Sequence, residues 1–120
     1  MIAAQGSHTP DPLTQAAFRA LADPTRREII TMLGEGERTV ADVASHFAIT
    51  RAAVKKHLIV LEEGQIVTTE RRGRETFNKL EPLALKRASD WLRTFEVFWD
   101  DRLFALKEAV ENDVNQGKVK

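Results

Sequence analysis

Six cations in the middle of the chain, Arg51, Lys55, Lys56, Arg71, Arg72 and Arg74, can hold an anion without breaking any bond. A guanidinium offers a planar fork of N–H donors, whereas an ammonium is a compact point charge. The fork matches guanine O6 and N7, which makes Arg51 the strongest candidate for base contact, while Lys55 and Lys56 can equally hold phosphates. Thr50, Ala52 and His57 complete the first group of candidate residues, and Gly73 supplies a turn inside the second. His57 reads either as a packing residue or as a phosphate contact. This is binding chemistry. Catalysis would need a nucleophile with a base, paired carboxylates in a pocket or a phosphate-binding glycine loop, and none is legible. Asp100 and Asp101 are sequence neighbours, which point apart on a helix. No catalytic residue and no enzyme are expected.

The absence of cysteine removes disulfides, thiolate metal sites and zinc fingers. Neither His46 nor His57 has a plausible ligand set, and no function is expected of His8. His46, near the end of a helix, suits its dipole. No metal and no cofactor are therefore expected.

The cations need a scaffold, and the apolar spacing supplies one. Residues 1–11 lack periodicity and read as a flexible lead-in. Leu13, Ala16, Ala17, Ala20 and Leu21 suit a first helix from Pro12, ended by Asp23-Pro24. Asp23 caps a second helix, with Pro24 at its first position, an apolar face of Ile29, Ile30 and Leu33, and Gly34 and Gly36 ending it. Thr39 to Asp42 resembles a capping box with Asp in place of Glu. It opens a short helix with Val40, Val43, Ala44 and Phe47 inward, and Ile49 lies in the turn that follows. Thr50 caps a fourth helix through Glu63, with Val54, Leu58 and Leu61 inward, and Gly64 stops it. Arg51, Ala52, Lys55 and Lys56 lie off that apolar face.

Residues 39–61 thus read as a helix-turn-helix, whose second helix enters the DNA major groove. An ordinary pair of core helices could share this spacing, but it would not predict a basic hairpin straight afterwards. Ile66 to Arg71 favours a strand, Arg72-Gly73 a turn and Glu75 to Leu80 a second strand. Arg71, Arg72 and Arg74 at this tip can reach a phosphate backbone or a minor groove.

From Pro82 to about residue 114, Leu85, Ala88, Leu92, Phe95, Trp99, Leu103, Leu106 and Val110 alternate steps of three and four, and Trp91 and Phe98 widen the stripe. Unbroken, such a helix would run roughly 50 Å. It carries more apolar area than one small subunit covers, so a dimer is expected. The chain of 120 residues suits one domain over 12–120. Its net charge of zero hides an uneven distribution, because the basic middle is balanced by acids in the last third. No apolar run approaches the roughly 20 residues of a membrane span and no signal pattern opens the chain, so no membrane partner and a cytoplasmic location are expected.

The segments FRALADPTRREIITML, ERTVADVASHFAITRAAVKKHLIVLEEGQIV and RRGRETFNKLEP resemble, in order and spacing, the ArsR-type winged-helix repressors. The resemblance covers about residues 13–110. It implies a mostly α fold with a small β-hairpin wing, a winged helix-turn-helix that dimerises through its first and last helices. Leu13, Ala17, Leu92, Phe95, Phe98, Trp99, Leu103 and Leu106 are then the interface, and double-stranded DNA and a second copy of the chain the partners. The implied role is a repressor released from its operator by a signal, with its own operon as a plausible target. Two departures matter. Val40-Ala41-Asp42-Val43 lacks the family's cysteine pair and the last helix lacks histidine, which argues against metal sensing. Ala52 and Lys55 stand where many relatives have proline and serine, so an operator sequence does not transfer directly. A winged-helix module that binds protein or RNA remains the alternative.

Overall fold

Among the described residues, 10–115, the computed structural model contains six helices and three short strands. In chain order these are α1 (Pro12–Leu21), α2 (Pro24–Glu35), β1 (Arg38–Thr39), α3 (Val40–His46), α4 (Arg51–Glu63), β2 (Val67–Arg72), β3 (Glu75–Leu80), α5 (Pro82–Arg93) and α6 (Glu96–Asn115). They fall into two compact units, one ending at Ala88 and the other beginning at Ser89. Most of the expected lead-in, His8 included, lies outside the described residues. Asp11 does not belong to a lead-in, because its Oδ1 caps α1 by accepting from Thr14 N at 2.9 Å.

In the first unit, local chemistry makes the α1–α2 corner. Asp23 caps α2 through Arg26 N at 3.0 Å, and Pro24 takes the first position, where no N–H is needed. The arginines that follow reach backwards. Arg26 donates to the carbonyls of Ala20 (2.8 Å) and Arg19 (3.0 Å), and Arg27 to that of Leu21 (2.8 Å). The bonds to Ala20 O and Leu21 O serve carbonyls at the end of α1, where helical partners run out, while Arg19 O also accepts from Ala22 N at 3.2 Å.

The core collects Ala17, Ala20, Ile29, Leu33, Val43, Val54, Leu58, Leu61, Ile66 and Val67, nearly all at expected apolar positions. Each large side chain contributes about 1.5–3 kcal/mol by leaving water. Ile49 does not join them and is 40% exposed.

The end of α4 has an unexpected construction. Gly64 does not supply the left-handed residue; its φ is −80°, and Gln65 carries φ 59°. Ile66 N bonds to Leu61 O (3.0 Å) and Gln65 N to Glu62 O (2.9 Å), a Schellman closure in which Ile66 and Leu61 are both buried in the core. Gly64 is needed for approach instead. A Cβ there would lie 2.9 Å from Ala16 O and 3.2 Å from Ala20 Cβ on α1.

The sheet is antiparallel with order β1-β3-β2. β1 was not anticipated; it pairs Arg38 with Asn78, whose buried side-chain amide donates to Arg38 O at 3.1 Å. β2 starts at Val67 rather than Ile66, and the hairpin turns one residue later than expected. Arg72 sits in the ladder opposite Glu75, so Gly73 and Arg74 form the loop. Gly73 has φ 62° while Arg74 stays on the negative side, the arrangement of a type II′ turn.

In the second unit, the expected unbroken helix is interrupted at Thr94 and Phe95. Their N–H groups bond three residues back, to Trp91 O and Leu92 O at 3.1 Å, and Thr94 Oγ1 also donates to Trp91 O at 2.7 Å. The hydroxyl competes for the carbonyl that continued helix would use. Phe95 stands edge-on to Trp91 at 5.1 Å and 6.3 Å from Phe98. Val97, Phe98, Trp99, Leu103, Phe104, Leu106, Val110 and Val114 of α6 are all exposed. No helix among the described residues is long and apolar enough to cross a membrane.

Candidate nucleic-acid interface

The α3–α4 pair is fixed at both helix starts. Thr39 Oγ1 accepts from Asp42 N (3.1 Å) while Asp42 Oδ2 accepts from Thr39 N (3.0 Å), closing the capping box. Thr50 Oγ1 accepts from Ala53 N at 3.1 Å and opens α4. Val54, Leu58 and Leu61 bury one face of α4, leaving Arg51, Ala52, Lys55, Lys56 and Ile59 exposed on the other. The first turn contains no acid. Cations at a helix N-terminus oppose the dipole, so this end concentrates positive potential suited to an anion.

His57 is placed differently from these. It is only a quarter exposed, with Nδ1 3.8 Å from Asp23 Oδ2 and 3.5 Å from Arg26 Nη1, so it braces α4 against the start of α2. Of the two sequence readings, packing is the one that the geometry matches. His46 Nε2 lies 3.1 Å from Glu28 Oε1 and likewise ties α3 to α2.

On the wing, strand alternation separates arginines that are adjacent in sequence. Glu70, Arg72, Phe77 and Lys79 share one face of the hairpin, and Arg71 lies on the other with Nε donating to Gly73 O at 3.1 Å. All three nitrogens of the Arg72 guanidinium are engaged. Nη1 and Nη2 donate to the two Glu37 oxygens at 2.6 and 2.9 Å, and Nε and Nη2 to those of Glu70 at 3.0 and 3.2 Å. It also lies 4.6 Å above the Phe77 ring. Lys79 Nζ approaches Glu70 to 2.7 Å. The hydrogen bonds from Arg72, then that from Lys79, hold the Glu70 carboxyl down at about 2, and Arg72 also lowers Glu37. No sequence spacing announced this cluster, because Glu37 is 35 residues from Arg72.

Arg51 of α4 and Arg74 of the wing tip line one open cleft of about 240 Å³, together with Thr39, Val40, Ala41, Glu75 and Thr76. Among the described residues, no group of three or more His, Cys, Asp or Glu could hold a metal ion. Of the expected interface residues, Leu13, Leu92, Phe98, Trp99, Leu103 and Leu106 are exposed and Phe95 is partly so. Ala17 must be withdrawn from that set. It has no exposed surface and belongs to the core of the first unit.

A capped helix pair with bare cations on its second helix, followed by an arginine-bearing hairpin, defines a winged helix-turn-helix DNA-binding protein. Residues 21–70 match the family described as a helix-turn-helix domain. The transcriptional repressor SdpR of Bacillus subtilis is 32% identical over 78 residues, 65% of this chain and 87% of that protein. The HTH-type transcriptional regulator Rv2034 of Mycobacterium tuberculosis is 32% identical over 98 residues, 81% of this chain and 88% of that one. Among solved structures, an ArsR family transcriptional regulator superposes with a TM-score of 0.70 at 28% identity, covering 77% of this chain and 95% of that one. The chain belongs to the ArsR-type family of winged helix-turn-helix transcriptional regulators.

Proposed function

We propose that this protein is a homodimeric repressor whose α4 reads an inverted-repeat operator while its wing grips the adjoining backbone. The observation that carries the reading is the shared cleft of Arg51 and Arg74, since helix and wing then face the same duplex. Arg51 takes the base-reading role, Lys55 and Lys56 hold phosphates, and Thr50 and Ala52 sit at the point of entry. Dimerisation is supported by the exposed apolar side chains of Leu92 and α6 in the second unit and, separately, by that of Leu13 in the first. A two-fold assembly spaces its recognition helices by about 34 Å or a multiple, which calls for an inverted repeat. The releasing signal is not a soft metal, because the chain has no cysteine and α6 no histidine. We place its action in the cytoplasm.

Selection of duplexes from a random pool, followed by a salt titration of the winner, tests the reading. Recovered sites should be inverted repeats, and log affinity should fall linearly with log salt as counterions are released. Light scattering should give a dimer at micromolar concentration. A stable monomer would refute the assembly. Absent or salt-insensitive duplex binding would favour a module for protein or RNA.

A further inference from the structure

The basic wing is less basic than its sequence. Arg72 and Lys79 on one face are matched by Glu37 and Glu70, so this cluster sums to zero formal charge. Arg72 forms a bidentate fork with Glu37, the tightest planar match available to a guanidinium, and a phosphate could take it only by displacing that carboxylate. Glu37 itself lies off the hairpin. It immediately precedes β1, whose Thr39 is the N-cap of α3 and the cross-strand partner of Phe77, the ring beneath Arg72.

We infer that Arg72 is a positioning residue: through Glu37 it fixes the wing to the segment that enters the helix-turn-helix, leaving DNA contact on the wing to Arg71 and Arg74. Arg71 points from the opposite face and Arg74 occupies the turn, beside the cleft it shares with Arg51. The clamp sets the distance between wing tip and recognition helix, and thereby which phosphates the two can reach together. This rests on the DNA-binding reading for its consequence, though not for its geometry.

Glu37→Gln and Arg72→Gln, singly and together, separate positioning from contact. In the free protein, amide hydrogen exchange across residues 67–76 should accelerate in both variants while α1, α2 and α4 stay protected. In competition binding, each single variant should lose about fivefold on operator and random duplex alike, and the double variant no more, since one clamp is broken either way. Arg74→Ala should weaken the parent protein yet cost little in the Glu37→Gln background, whereas Arg51→Ala should keep its full effect in both. A global loss of stability would not discriminate between those two arginines. The inference is overturned if Glu37→Gln binds as tightly as the parent or tighter while Arg72→Gln binds weakly, because Arg72 then touches DNA itself. Unchanged wing exchange in both variants overturns it as well. Should the parent bind no duplex, the functional reading fails and the exchange measurement alone decides the clamp.

Discussion

Arg51, Arg72 and His57 show how little residue type alone says about role. All three could donate to a phosphate, but only Arg51 is exposed on the outer face of α4, in a first turn that contains no acid. Arg72 is held by two carboxylates, and His57 is turned towards Asp23 and Arg26. Replacing Arg51 with alanine should cost about 1–3 kcal/mol on the operator and relax preference at one base pair in each half-site, since a two-bond contact to guanine is lost. Lys56→Ala should weaken operator and random duplex equally. Competition against matched, single-mismatch and random duplexes checks both, and an unchanged operator-to-random ratio for Arg51→Ala would remove its base-reading role.

At the scale of elements, the helices were legible because their signals are local. Asp23, Thr39 and Thr50 each cap the helix expected of them, and Val54, Leu58 and Leu61 face inward as their spacing requires. What escaped depends on distant partners or on competition between bonds. β1 is only two residues long and exists because β3 offers an edge, which no periodicity reveals. The interruption at Thr94 depends on a hydroxyl taking the Trp91 carbonyl, although the apolar spacing runs on without a break. The wing tip was legible in composition but not in direction, since a shift of one residue moves a side chain to the other face. Gly64 ends α4, as its place in the sequence implies, but for a reason the sequence does not carry. Its Cβ-less backbone lets α1 and α4 meet, and Gly64→Ala should therefore destabilise the fold by about 1–3 kcal/mol, through overpacking against Ala16 O and Ala20. Denaturant unfolding measures this directly, and an unchanged midpoint would mean that α1 yields at no cost.

For the whole molecule, the same carboxylates that organise the fold make it sensitive to acid. Backbone N–H bonds from Thr14, Arg26 and Thr39 lower Asp11, Asp23 and Asp42 below their ordinary 3.8. Arg72 lowers Glu37, and Arg72 with Lys79 lowers Glu70 from 4.5 to about 2. A depressed folded value means that the unfolded chain takes up protons first as pH falls. The stabilisation is therefore complete above about pH 5 and disappears progressively towards about pH 2. Melting temperature should be level between about pH 7 and 5 and fall below, with added salt reducing the drop because all five groups lie at the surface. A melting temperature constant to pH 2.5 would show that these bonds do not contribute.

The bonds that close the α1–α2 corner join residues three to seven apart, whereas the fork between Arg72 and Glu37 joins residues 35 apart. Closing a long loop costs more chain entropy than closing a short one, so the corner can form on its own, whereas the wing, itself a local hairpin, must wait for the segments between before it docks. In the proposed repressor, the arm that would grip the backbone is therefore docked later than the corner. Its proposed hold on DNA would then loosen by undocking that arm alone, with α4 still folded on the core.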